Sequence, residues 1–339
     1  MRCIVHIGIE KTGSTSLQGI LRDNRLILQE RGICFAEAVG SLNSRALAAA
    51  FVSQDRTDDY LIRLGLKDSK ERAVWSEKLL DNVRREIDAV RLNSEVYLLS
   101  SEHLSSQLIA TEEVLQLGNF LRSQFEDIQV VCYLRRQDHL AVSRFSQSLR
   151  AGYGLPQIFP NLSQAPLLRK LFDFAGLADR WINAFGQSAL QLRIYEPNCL
   201  LGGDTVRDFV ELVLKLNLQL ESGGRTNTSL SEQAQLALKI FNVSMGKEHR
   251  RLLAKPRRRL VAFLEERAPG TGKLPVRNEA MEFYENFKAG NDRLAQMFFG
   301  KSRLFNEDFT SYPTEASEED IEVALDLLSD FYYANYCET

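Results

Sequence analysis

No stretch of this chain approaches the roughly 20 consecutive apolar residues that a membrane-spanning helix requires, so nothing in it reads as a bilayer anchor. Cysteine is sparse: Cys3, Cys34, Cys132, Cys199 and Cys337 form no CxxC pair, and no histidine stands at a spacing suited to zinc. A disulfide framework and a structural or catalytic metal are both disfavoured, and the simplest expectation is reduced, mostly buried thiols. Charge excess is missing too. The 42 Lys and Arg against 45 Asp and Glu leave a formal net charge of −3, which gives no global attraction to nucleic acid, so any anion binding must be local. There is no internal repeat and no low-complexity tract. A cleaved leader is not expected, because the motif described next begins within the first dozen residues, and the expected location is the cytoplasm.

What is present is enough apolar material, 44% of 339 residues, for one large α/β core or two modest ones. Its most informative stretch is Ile4 to Gln18, IVHIGIEKTGSTSLQ, where an apolar β-type run breaks into a polar loop and then into a helical pattern. A strand that delivers a glycine loop to a helix N-terminus presents backbone N–H groups and the positive end of the helix dipole to an anion. Lys11 adds a full charge, Gly13 a turn, and Thr12, Ser14, Thr15 and Ser16 short-range donors. A Walker A loop places its lysine after the second glycine. Here four residues separate Gly8 from Gly13, but Ser14 follows Gly13 and the lysine is Lys11, two places before it. That placement disfavours an ordinary nucleoside triphosphatase and leaves a lysine-first anion loop.

Further along, helical and strand patterns alternate. Leu17 to Leu28 is helical in spacing with Gly32 as a stop, ICFAEA is a short second strand, and Ser69 to Arg91 is an amphipathic crossover helix. VYLLSSEHL and IQVVCYLRRQD are strands separated by a helix over Thr111 to Phe125; a helix follows in DHLAVSRFSQSLRAG, another spans 167–187, and ALQLRIYEP is a fifth strand. The expected fold is α/β: a P-loop-like three-layer arrangement with a central parallel sheet flanked by helices, plus a helical C-terminal region. The proline-bearing loop GLPQIFPNLSQAP is long enough to be substrate-facing.

Ligands of open α/β sheets collect at the carboxyl ends of the strands. One such end carries SSEHL, where Glu102 or His103 can serve as the base that takes a proton from an acceptor hydroxyl; the structural alternative is a helix cap and a half-buried imidazole. Another carries YLRRQDHLAVSRF. Arg135 can bind phosphate bidentately and Ser143, eight residues on, can complete the contact; Arg136 takes the role if the register slips by one place.

These motifs resemble those of sulfotransferases that use 3′-phosphoadenosine 5′-phosphosulfate (PAPS), and in the Ser-Ser-Glu form the bacterial, carbohydrate-directed branch. KTGST is similar to the family's 5′-phosphosulfate loop, the Arg135…Ser143 pair to its 3′-phosphate site, RIYEP to a late strand, and RTNTSLS to a segment whose basic residue, Arg225, closes over the nucleotide. The resemblance implies a single domain, residues 1–200 forming the nucleotide-binding core and 201–339 a mainly helical cap. It implies an enzyme with PAPS as co-substrate, 3′-phosphoadenosine 5′-phosphate (PAP) as product and no metal. The reaction would be sulfuryl transfer to a hydroxyl, in preference to an amine, of a carbohydrate or glycolipid-type acceptor, a small molecule or glycan, and the resemblance favours Glu102 over His103 as base. Ser16-Leu17 stands where cytosolic members have an aromatic residue, and the acceptor-binding regions match nothing, which leaves acceptor and oligomeric state open. The rival classes are a P-loop kinase or nucleotide hydrolase and a non-catalytic nucleotide-binding protein of the same fold.

Two stretches stand apart. KEHRRLLAKPRRRL, 247–260, reads as a solvated helical face broken near Pro256, the alternative being a platform for an anionic acceptor or for peripheral contact with a membrane surface. GTGK, 270–273, lacks the strand and helix of a phosphate loop and reads as a connector.

Overall fold

Apolar residues run almost without a break through four short segments, the composition of strands covered on both faces, and alternate with polar ones in a fifth, LQLRI, at the sheet edge. In the computed structural model, which describes residues 1–40, 43–56, 58–66, 68–217, 229–246 and 249–336, these are β1 (Arg2–His6), β2 (Ile33–Phe35), β3 (Val96–Ser100), β4 (Ile128–Leu134) and β5 (Leu190–Ile194). They form one sheet in the order β2-β3-β1-β4-β5, every pairing parallel. The register pairs His6 with Ser100 and with Val131, so the loops leaving β1, β3 and β4 emerge side by side at the carboxyl edge.

The chain forms two compact units interleaved along the sequence. One comprises Met1–Arg135, Pro166–Gly223 and Phe287–Phe305, and the other Arg136–Ala165, Gly224–Asn286 and Asn306–Thr339; the expected core-and-cap boundary at residue 200 falls within the first unit's middle segment. The first unit holds the sheet. On one face, Leu17 and Leu21 of the Ser14–Asp23 helix pack with Phe209 and Val213 against Ile4, Leu98 and Val131. On the other, Tyr97 stacks on Phe125 and donates its hydroxyl to Glu86 of the Ser69–Val90 helix at 2.6 Å, and the Phe174–Phe185 helix packs on β4 and β5. Helix, sheet and helix make the three expected layers.

The second unit is built from helices. Gln137–Arg150, Glu232–Ser244, Ala254–Arg267 and Ile321–Tyr336 close on Phe145, Leu149, Leu238, Leu260, Leu264 and Phe331. Pro256 does not break the basic run. It sits in the first turn of the Ala254–Arg267 helix, where a missing N–H costs nothing because that donor has no intrahelical partner.

Two helices differ from expectation. Residues 167–187 divide into Pro166–Phe172 and Phe174–Phe185, because the Asp173 carboxylate accepts from the Gly176 N–H at 2.9 Å and starts a new helix. The helix from Thr111 ends at Arg122, three residues early.

Candidate active site

The β1 loop is folded around three residues in the left-handed region: Gly8 (φ +44°), Lys11 (φ +68°) and Gly13 (φ +81°). Glycine meets that demand at two of them without a Cβ clash; Lys11 is the exception, and a non-glycine residue is held left-handed at a cost of about 1–2 kcal/mol. Such residues concentrate where a loop must present its backbone to something. A Cβ on Gly8 would lie 2.9 Å from Ser14 Oγ, 3.5 Å from His6 Cε1 and 3.6 Å from the Cα of Glu102, and one on Gly13 would lie 3.3 Å from Thr205 Oγ1. The cradle therefore exists only because those positions are glycine. Thr12 donates to Ile9 O at 2.7 Å and so braces the loop from inside, whereas Thr15 and Ser16 are exposed. Ser14, 5% exposed, has no hydrogen-bond partner for its hydroxyl among the described residues. A buried hydroxyl at the first turn of a helix is a ready donor to an oxyanion.

Beneath the loop lies a polar network that the sequence reading did not single out. Gln18, buried on the loop helix, donates to Glu102 Oε2 at 2.9 Å and, at 3.4 Å, to the carbonyl and hydroxyl oxygens of Ser100. Ser100 Oγ lies 2.8 Å from His6 Nδ1. The Ser100 hydroxyl thus accepts from the Gln18 amide and shares a hydrogen bond with the His6 ring. Complete burial pushes His6 down from its ordinary 6.5 to about 4, which keeps it neutral. The one available signal was a histidine inside an otherwise apolar strand.

Glu102 and His103 open the Glu102–Gln107 helix, capped by Ser101 Oγ, which accepts from the His103 N–H at 3.3 Å; Glu102 itself is not the cap. Their side chains are 3.6 Å apart, and His103 Nε2 is 3.4 Å from Asn43 Nδ2. Burial lowers the His103 pKa against the opposing pull of Glu102, favouring the neutral ring. Arg135, at the end of β4, donates to the carbonyl of Lys11 at 2.8 Å and lies over Tyr195 at 5.5 Å, so three strand ends meet at this loop.

Arg136 is not the alternative to Arg135. It is 2% exposed, grips Asp138 through Nε and Nη2 at 2.8 Å each, and donates to the Asp308 carbonyl. Ser143 lies in the second unit, on the Gln137–Arg150 helix, and Arg225 lies outside the described residues. The GTGK lysine, Lys273, is spent on Glu319 at 2.7 Å. Behind the site Asp208 holds three elements together: it accepts from Tyr133 at 2.7 Å, from Arg193 at 2.5 and 2.6 Å, and from the Leu201 N–H at 3.0 Å. Cys3, Cys34 and Cys132 are buried thiols, and burial raises the pKa of each. Among the described residues no helix is long and apolar enough to cross a membrane.

No family model matches the chain. An uncharacterised protein of Archaeoglobus fulgidus is 26% identical to it over 198 residues, 57% of this chain and 51% of that protein; the chain thus spans about half the length of the curated relative it matches. The crystal structure of a sulfotransferase from Alicyclobacillus acidocaldarius aligns over 86% of this chain and 94% of its own, with 14% identity and a TM-score of 0.43.

Proposed function

We propose that the protein is a sulfotransferase that takes the sulfuryl group of PAPS to a hydroxyl, in preference to an amine, of a carbohydrate or glycolipid-type acceptor. One observation carries this reading: the Ser14 hydroxyl is buried and unmatched inside a left-handed, lysine-bearing loop, with the backbone of Glu102 against the same glycine. The donor set fits a phosphosulfate. It is a helix N-terminus with hydroxyls and a lysine, and Glu10 is the loop's one carboxylate. PAPS, when bound, supplies an electrophilic sulfuryl group on a phosphate leaving group. Lys11, Ser14 and the loop amides would place positive potential where charge grows on the departing oxygen. Glu102, oriented by Gln18, accepts the proton of the acceptor hydroxyl, and the neutral His103 beside it is the second candidate for that step. Arg135, which reaches the loop from the end of β4 and donates to the Lys11 carbonyl, is the residue assigned to the 3′-phosphate that distinguishes PAP from ADP.

Radiolabelled sulfate transfer from PAPS to a panel of glycans and glycolipids tests this reading. Wild type labels at least one acceptor, and Glu102→Gln lowers kcat by roughly a hundredfold or more while PAP still binds. Lys11→Ala costs a similar factor. Undiminished transfer in both variants refutes the assignment.

A further inference from the structure

The sequence 247–260 carries seven lysines and arginines against one acid, and in the second unit the structure joins its described part, 249–260, to exposed apolar side chains. The Arg250 guanidinium lies 4.1 Å above the Tyr153 ring, and the Tyr153 carbonyl accepts from Asn242 at 3.2 Å. The next residue, Gly154, abuts Val243: a Cβ there would fall 2.4 Å from Val243 Cγ2. Arg257 turns inward, donating to the carbonyls of Arg150 and Arg250 at 3.2 Å each, and so pins the turn that carries Arg251 and Leu252 to the helix behind it. Tyr153 and Val243 therefore adjoin the turn that carries Arg250 and Leu252, and Tyr153, Val243 and Leu252 are 42%, 61% and 78% exposed. Arg251, in the same turn, and Lys255 and Arg258, on the helix that follows it, are exposed, while Glu265, the next acid along the helix, is paired with Arg150.

Among the described residues no ion pair joins Arg251, Lys255 or Arg258 to an acid, and a purely apolar protein contact does not call for three such cations. The combination suits the boundary of an anionic bilayer, where basic groups meet headgroups and a few apolar side chains enter the acyl edge. We propose that this patch is a peripheral docking surface for membranes rich in anionic lipid, with Arg251, Lys255 and Arg258 supplying attraction and Leu252, Val243 and Tyr153 supplying shallow insertion. It is independent of the chemistry at the β1 loop.

Flotation of the full chain with lipid vesicles decides it. The protein should float with phosphatidylcholine vesicles containing about one third phosphatidylserine and not with phosphatidylcholine alone, and raising the salt severalfold should release it. Arg251→Glu/Arg258→Glu, both at exposed positions, should cut the bound fraction at least tenfold, with unchanged thermal melting as the control for folding. Leu252→Ser should cut it severalfold with every charge retained. Absence of flotation at low salt overturns the proposal, as does equal flotation of the charge-reversed variant. Binding to single-stranded RNA as tight as to vesicles, with Leu252→Ser without effect on either, overturns it in favour of a polyanion site.

Discussion

Gly8 is the residue on which the loop turns. Its φ of +44° and the 2.9 Å approach of Ser14 Oγ leave no room for a side chain. Gly8→Ala should destabilise the fold by about 1–2 kcal/mol and displace the serine hydroxyl; calorimetry should show PAP affinity falling at least tenfold. His6 sets a pH limit. Its folded value of about 4 lies below its ordinary 6.5, so the unfolded chain takes up a proton that the folded chain refuses. The stability His6 contributes is therefore present above about pH 6.5 and is lost as pH falls toward 4, a change on the order of 3 kcal/mol for a fully buried ring. Urea unfolding at pH 7 and at pH 4.5 should show a smaller pH effect in His6→Gln than in wild type. The gathering of Lys11, Glu102, His103 and Arg135 at neighbouring strand ends is legible in the sequence, because each follows an apolar run that reads as a strand of one parallel sheet. Gln18, Ser100 and Thr205 are not, because their importance comes from strand register and packing, which spacing along the chain does not reveal.

At the scale of elements, Gln18 links the loop helix to the end of β3. Gln18→Met keeps the volume and removes the donor, so Glu102 loses its 2.9 Å partner. Transfer should fall by about tenfold with PAP affinity unchanged, and in a Glu102→Gln background the same substitution should add nothing further, a non-additivity that separates positioning from general loosening. Asp208 ties the segment after β5 back to β4 and β5 and is fully buried among Tyr133 and Arg193. Asp208→Ala leaves a partly buried guanidinium without its carboxylate and should cost about 3 kcal/mol or more in urea unfolding. Four strands are readable because burial on both faces writes itself as continuous apolar runs, and β5 because its apolar residues alternate with polar ones. The break at Asp173 is not, because apolar periodicity continues across it and only the side-chain cap interrupts the backbone.

For the molecule as a whole, the sheet and its flanking layers followed from the alternation of strand and helix. The interleaved division into two units did not, since it depends on contacts between segments distant in sequence. The central claim is that the β1 loop and its neighbours accept an adenosine bisphosphate in preference to a diphosphate. Isothermal titration of the full chain with PAP, and in parallel with ADP in the presence of magnesium, addresses it most directly. PAP should bind at least tenfold more tightly than ADP, equivalent to about 1.4 kcal/mol or more, and Arg135→Met should erase most of that difference. Binding of magnesium-ADP as tight as or tighter than PAP, or no heat with PAP at all, contradicts the claim.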